Sequence, residues 1–128
     1  FRIYDKGDDL PIHHDRPSCE YTVALCLGAD PVDLPYELFL GDQDESSDYK
    51  YYNEDGEYKR FRIDHKIAMV PNNAVIFKGI KKLHWREICH HDHFVTVFLH
   101  YVDQDGPYKE YKFDKREMLG KSVKIIPT

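Results

Sequence analysis

Cysteine is scarce in this sequence. Cys19, Cys26 and Cys89 are an odd number with no CxxC spacing, which argues against a disulfide framework and a cysteine-rich zinc site and points to a reducing, cytoplasmic setting. Long hydrophobic runs are also missing. The longest, such as Val23-Ala24-Leu25-Cys26-Leu27, fall far below the ~18–20 apolar residues that cross a bilayer, and the opening Phe1-Arg2-Ile3-Tyr4-Asp5 has no basic segment leading into an apolar one. Neither a membrane span nor a secretory leader is expected. Positive charge is not in excess: 18 Lys and Arg stand against 23 Asp and Glu, a net charge of -5, so no nucleic-acid partner is expected. Helical periodicity is almost absent.

What is present is β-forming material in the amount one domain needs. The 128 residues are 41% hydrophobic, enough for one core and not for two. Runs rich in Val, Ile, Tyr, Phe and Thr predict strands near residues 1–4, 20–27, 36–40, 58–63, 66–70, 74–79, 93–102 and 108–113. Turn-forming clusters separate them, among them Gly28-Ala29-Asp30-Pro31, Asn53-Glu54-Asp55-Gly56, Pro71-Asn72-Asn73 and Asp103-Gln104-Asp105-Gly106-Pro107. An all-β domain must protect its strand edges, and an antiparallel jelly roll or barrel does so. The acidic, aliphatic-poor segment from Gly41 to Tyr52 reads as an exposed loop or irregular hairpin extension, either solvated or serving as a lid over a pocket. Residues 115–128 read as a tail along the outside.

Eight histidines are many for this length, and five fall in two clusters. In the first, Leu10-Pro11-Ile12-His13-His14-Asp15-Arg16-Pro17, an extended backbone sends His13 and Asp15 to one side and His14 to the other. An imidazole and a carboxylate so placed supply two parts of a two-His, one-carboxylate facial set, which needs a third ligand from a distant strand. The stretch from Pro71 to Glu87 offers one. A turn leads into an apolar strand, Gly79 allows a bend or close backbone approach, and His84 follows; that strand is expected to pair beside the one carrying His13. The second cluster, Cys89-His90-His91-Asp92-His93, has zinc-like composition but lies in a hairpin connection. It reads as a solvated turn, as a source of contacts from His93, or as an adventitious metal site. Cys89 reads as a packed or idle thiol.

Together these segments resemble a known family. Ile3-Tyr4-Asp5-Lys6-Gly7, His13-x-Asp15, Tyr21-Thr22-Val23-Ala24-Leu25, the turn and strand from Pro71 to Gly79, and His84 are similar in order and spacing to the Fe(II)- and 2-oxoglutarate-dependent dioxygenases, in their prolyl-4-hydroxylase-like branch. The resemblance runs from residue 1 to about residue 120. It implies a cupin-like double-stranded β-helix, or jelly roll, with Fe(II) held by His13, Asp15 and His84. It also implies that the enzyme hydroxylates a C–H bond of a peptidyl proline, an amino acid or a small metabolite, using O2 and 2-oxoglutarate, giving succinate and CO2, with ascorbate as a supporting reductant. Two departures stand out. Many members place Arg or Lys about ten residues beyond the distal His to pair with 2-oxoglutarate, where this chain reads His93-Phe94-Val95. Members also carry more structure ahead of the His-x-Asp motif than the twelve residues here, which implies a domain lacking its N-terminal portion.

The cosubstrate anchor must then come from elsewhere. Arg86, two residues past His84, shares its face if the strand continues and can bind a carboxylate through paired hydrogen bonds; a surface ion pair with Glu87 or Asp92 is the plainer account. Arg2 shares a strand face with Tyr4 and is the other available cation. Tyr4 and Tyr21 are either half-buried strand residues or, on the resemblance, phenols donating to 2-oxoglutarate. His93 is a further cosubstrate contact, and Trp85 packs beside the ligand His. The alternative to an enzyme is a non-catalytic cupin-like barrel that binds a metal or another ligand.

Overall fold

A computed structural model describes residues 1–114. Nine strands form in chain order: β1 (Arg2–Asp5), β2 (Leu10–His13), β3 (Tyr21–Asp30), β4 (Tyr36–Gln43), β5 (Lys50–Tyr52), β6 (Tyr58–Met69), β7 (Ala74–Phe77), β8 (Leu83–Arg86) and β9 (His93–Tyr101). All pairings are antiparallel, in two sheets ordered β1-β9-β3-β7 and β2-β8-β4-β6-β5. The only helical pieces among the described residues are 3-10 turns at Pro17–Cys19 and Lys109–Tyr111. No helix among these residues is long and apolar enough to cross a membrane.

Alternation along the strands builds the core. In β3 the even positions Thr22, Ala24 and Cys26 are buried, and in β4 so are Tyr36, Leu38 and Leu40. All of these but Thr22 join Tyr4, Leu10, Met69, Phe77, Cys89 and Phe94 in one cluster drawn from both sheets, so the sheets share one hydrophobic interior. A smaller cluster of Phe39, Leu83 and Trp85, backed by Ile12, Tyr51 and Phe61, covers the opposite face of the five-stranded sheet. Within β8, four consecutive buried residues therefore serve two faces: Leu83 and Trp85 join the outer cluster, while His84 and Arg86 turn inward.

Several sequence expectations need correction. The strand expected at 108–113 is a turn and a 3-10 segment, because Gly106-Pro107 leads into hydrogen bonds three residues apart, such as Tyr111 N–H to the Tyr108 carbonyl (2.9 Å). The strands expected at 58–63 and 66–70 are one strand. The expected strand 74–79 ends at Phe77 and pairs with β3, so His84 sits on a separate short strand in the other sheet. β5, within the segment read as a loop, pairs with β6 through Lys50, Tyr51 and Tyr52, completing an irregular hairpin extension. The tail at 115–128 lies outside the described residues.

Candidate metal centre

β2 and β8 bring the two histidines together. They pair antiparallel with His13 opposite His84, after an irregularity that begins beyond Leu10, and the imidazole centroids stand 4.2 Å apart. Asp15 follows two residues after His13, held by its backbone N–H donating to the Gly79 carbonyl at 2.9 Å. Gly79 is what lets the chain pass so close. A Cβ there would meet Asp15 Oδ2, the Cys19 carbonyl at 2.6 Å and Thr22 Oγ1 at 2.8 Å. Asp15 Oδ1 lies 3.3 Å from His13 Nε2 and 3.2 Å from His84 Nε2, and the three side chains form a group able to hold a metal ion.

The hydrogen bonds on the far sides of the rings fix which nitrogens face inward. His13 Nδ1 donates to the Pro11 carbonyl at 2.7 Å and His84 Nδ1 to the Lys82 carbonyl at 2.9 Å. In the neutral rings both Nε2 lone pairs then point at a carboxylate oxygen, a set of acceptors that only protons or a cation can reconcile. Bonds of ~2.0–2.2 Å to one ion would space such donors roughly 3.0–3.5 Å apart, which matches the two observed separations. Burial by itself would raise the Asp15 carboxyl, but hydrogen bonds and charge from His13 and His84 hold it well below the usual carboxylate range. Burial opposes protonation of His13, yet its bonds to Asp15 and to the Pro11 carbonyl raise it above the ordinary 6.5. His14, lowered by burial and then by the charges of His84 and His13, has no place in the group.

Arg86 lies two residues along β8 from His84, on the same inward face. Only 2% exposed, it has no carboxylate partner; one Nη1 hydrogen bond reaches the Tyr36 carbonyl at 3.0 Å, while Nε and Nη2 are buried without a partner. Its guanidinium carbon sits over three rings, 4.7 Å from Tyr36, 5.1 Å from Phe94 and 5.4 Å from Tyr4. The Tyr4 hydroxyl is buried and likewise unpartnered. Burial pushes this phenol up against the opposing charges of Arg2 and Arg86, the latter near it without closing a hydrogen bond. Three orphaned donors thus face one interior region. The surface ion pair with Glu87 or Asp92 is not formed, because Arg86 points into the core.

The remaining candidates lie elsewhere. Tyr21 is half-buried at the start of β3, beside Glu20, Lys78 and Tyr108, at an odd position that faces away from buried Thr22. His93 is exposed on β9 and donates from Nδ1 to Asp5 Oδ1 at 2.8 Å, which raises its pKa. The structure brings neither to the metal group or to Arg86. Arg2 remains exposed, its guanidinium carbon 4.7 Å over the Tyr4 ring. Trp85 faces outward, stacked on Phe39 at 5.4 Å. The cluster at 89–93 is not wholly solvated: Cys89 and His91 are buried, and His91 Nε2 donates to the Leu34 carbonyl at 2.6 Å. Sequence reasoning missed Thr22, whose hydroxyl lies 3.4 Å from Asp15 Oδ2 and 3.1 Å from His100 Nδ1. Its even position in β3, shared with buried Ala24 and Cys26, was the available signal. No family model matches the chain, and neither a curated protein nor a solved structure matches it.

Proposed function

We propose that the chain is an Fe(II)- and 2-oxoglutarate-dependent oxygenase that hydroxylates a C–H bond of a peptidyl proline, an amino acid or a small metabolite. The observation that carries this reading is the buried, unpaired Arg86 guanidinium beside the Tyr4 hydroxyl, two residues from His84 on one strand face. Alternate strand residues are ~6.6–6.8 Å apart, a span suited to a five-carbon diacid reaching from the metal group to Arg86. A guanidinium with no anion in an apolar interior is costly, and a bound carboxylate would satisfy Nε and Nη2 as a pair while the Tyr4 hydroxyl donates a third bond. The position ten residues past His84 is Phe94, and the Arg86 guanidinium stands over that ring. On this reading β8, in the opposite sheet, supplies the cation that β9 lacks.

Strand order supports a double-stranded β-helix. With β5 set aside as an addition to the β4–β6 hairpin, the other eight strands divide into two four-stranded sheets, β1-β9-β3-β7 and β2-β8-β4-β6. Two interleaved Greek keys would give this order. His13, Asp15 and His84 would hold Fe(II), and the donor set of two imidazoles and one carboxylate with open positions suits that ion. When bound, iron and 2-oxoglutarate supply the oxidising chemistry, in which C–H, O2 and 2-oxoglutarate become C–OH, succinate and CO2. The protein contributes donor geometry, the carboxylate contact and an apolar surround. The second reading, a cupin-like barrel that binds a metal or other ligand without turnover, is favoured by the absence of Lys or Arg at 93–95. Succinate formation from 2-oxoglutarate, dependent on Fe(II) and supported by ascorbate, is expected. None from protein shown to carry iron would leave the second reading.

A further inference from the structure

Asp15 presents its two oxygens to different surroundings. Oδ1 faces His13 and His84, whereas Oδ2 turns toward Thr22, on the side where a Gly79 Cβ would also strike the Cys19 carbonyl. On that second side three donors converge from separate elements. Asp15 comes from the stretch after β2, Cys19 from the Pro17–Cys19 turn, and His100 from β9, opposite Thr22 in register. One ligand atom from each lies within 4.8 Å of the others. Cys19 is fully buried and outside any disulfide. Burial, then the charge of Asp15, pushes its thiol up to about 11, so unassisted it is neither a nucleophile nor an anion. Metal coordination would draw off that proton.

We propose that Asp15 is shared between two cation sites, and that its second oxygen, with Cys19 sulfur and a His100 nitrogen, holds a redox-inert ion of the Zn(II) class. One sulfur, one nitrogen and one oxygen donor with a coordination position left open is a borderline-soft set, distinct from the harder set of the first group. The site goes beyond the oxygenase reading and does not depend on 2-oxoglutarate. Its consequence is that the carboxylate orienting the first group is fixed from both ends.

Cobalt(II), a spectroscopic stand-in for zinc, tests this in the full chain under anaerobic, thiol-free reducing conditions. Two Co(II) per chain are expected, with a near-ultraviolet thiolate-to-cobalt band. Cys19→Ser and His100→Ala should each remove the band and lower the stoichiometry to one; His100 is exposed, so the second variant covers the case in which loss of buried Cys19 unfolds the chain. The doubly substituted His13→Ala, His84→Ala chain should keep the band. One Co(II) without a thiolate band, lost on His13→Ala, would overturn the second site and leave the first intact. A band lost only on Cys26→Ser or Cys89→Ser would overturn it as well. One Co(II) with a band insensitive to His13 and His84 would support the second site and sink the first, and no cobalt at all would reject both.

Discussion

At the scale of single residues, the candidate centre depends on which side of the backbone each group faces. His13→Ala or His84→Ala is expected to abolish Fe(II) binding with the fold retained, whereas His14→Ala leaves it in place. Equal loss in all three, measured by anaerobic metal titration, would contradict the assignment. Gly79→Ala is a more searching test, because its methyl would collide with its three nearest neighbours, Asp15, Cys19 and Thr22. Overpacking of this kind costs ~1–3 kcal/mol, and metal affinity should fall at least about tenfold as Asp15 is displaced. Arg86→Ala should raise the apparent KM for 2-oxoglutarate roughly tenfold or more, as loss of a ~1.5–3 kcal/mol charged hydrogen bond implies, with Fe(II) affinity near wild type. Because an unpaired buried cation is a burden when no acid is bound, Arg86→Met should raise the melting temperature of the ligand-free protein while removing cosubstrate binding. A lower melting temperature would show that the guanidinium is a structural asset. Period-two spacing made the convergence of His13 and Asp15 legible in the sequence. It could not show that Arg86 is buried, since its partners Tyr36, Tyr4 and Phe94 come from three other strands.

At the scale of elements, β8 matters most and is the one periodicity could not reveal. Leu83, His84, Trp85 and Arg86 alternate apolar and polar, the pattern of a strand with one wet face, yet all four are buried because both faces of the strand are covered. Its entry is also tied down. Lys82, whose carbonyl accepts the His84 Nδ1–H, extends its ammonium to Asp42 at 2.6 Å and Asp64 at 3.1 Å. The β4–β6 excursion is partly legible for a related reason. Its acidic, aliphatic-poor composition predicts a surface segment, yet Tyr51 anchors it, packing edge-on to Phe61 (5.7 Å) and accepting a 3.1 Å hydrogen bond from Gln43 Nε2. Shortening the turn between Asp44 and Tyr49 while keeping β5 should leave the melting temperature nearly unchanged. Tyr51→Ala should cost about 1–2 kcal/mol, since a half-buried ring loses part of its burial. Comparable melting temperatures for both variants would show that β5 contributes nothing to the sheet.

At the scale of the whole molecule, metal binding and folding are linked, because the ligands come from facing positions on the paired β2 and β8 and from the stretch between β2 and β3. An ion at one hundred times its Kd stabilises the fold by ~2.7 kcal/mol, and the sign of its pH dependence follows from His13. Its folded pKa lies above 6.5, so in the metal-free chain it contributes stability below the unfolded value that is lost as pH rises through the folded one. Ligation needs the neutral ring. The rise in melting temperature on adding Mn(II) should therefore grow as pH rises through the raised folded pKa of His13, and vanish in His13→Ala; a pH-independent increment would count against His13 as a ligand. The sequence by itself determined the all-β class, the turns at 53–56, 71–73 and 103–107, the pairing of His13 with Asp15 on one side and the exclusion of His14, because these follow from local alternation and turn chemistry; the turn expected at Gly28-Ala29-Asp30-Pro31 begins only at Pro31, since β3 runs on to Asp30 in its pairing with β9. Only the tertiary structure decided that His84 rides on its own strand opposite His13, that Gly79 makes room for Asp15, and that Arg86 lies unpaired in the core. Each of these depends on which strands become neighbours, and antiparallel pairing across about 70 residues of chain is set by the packing of the whole core rather than by any local pattern.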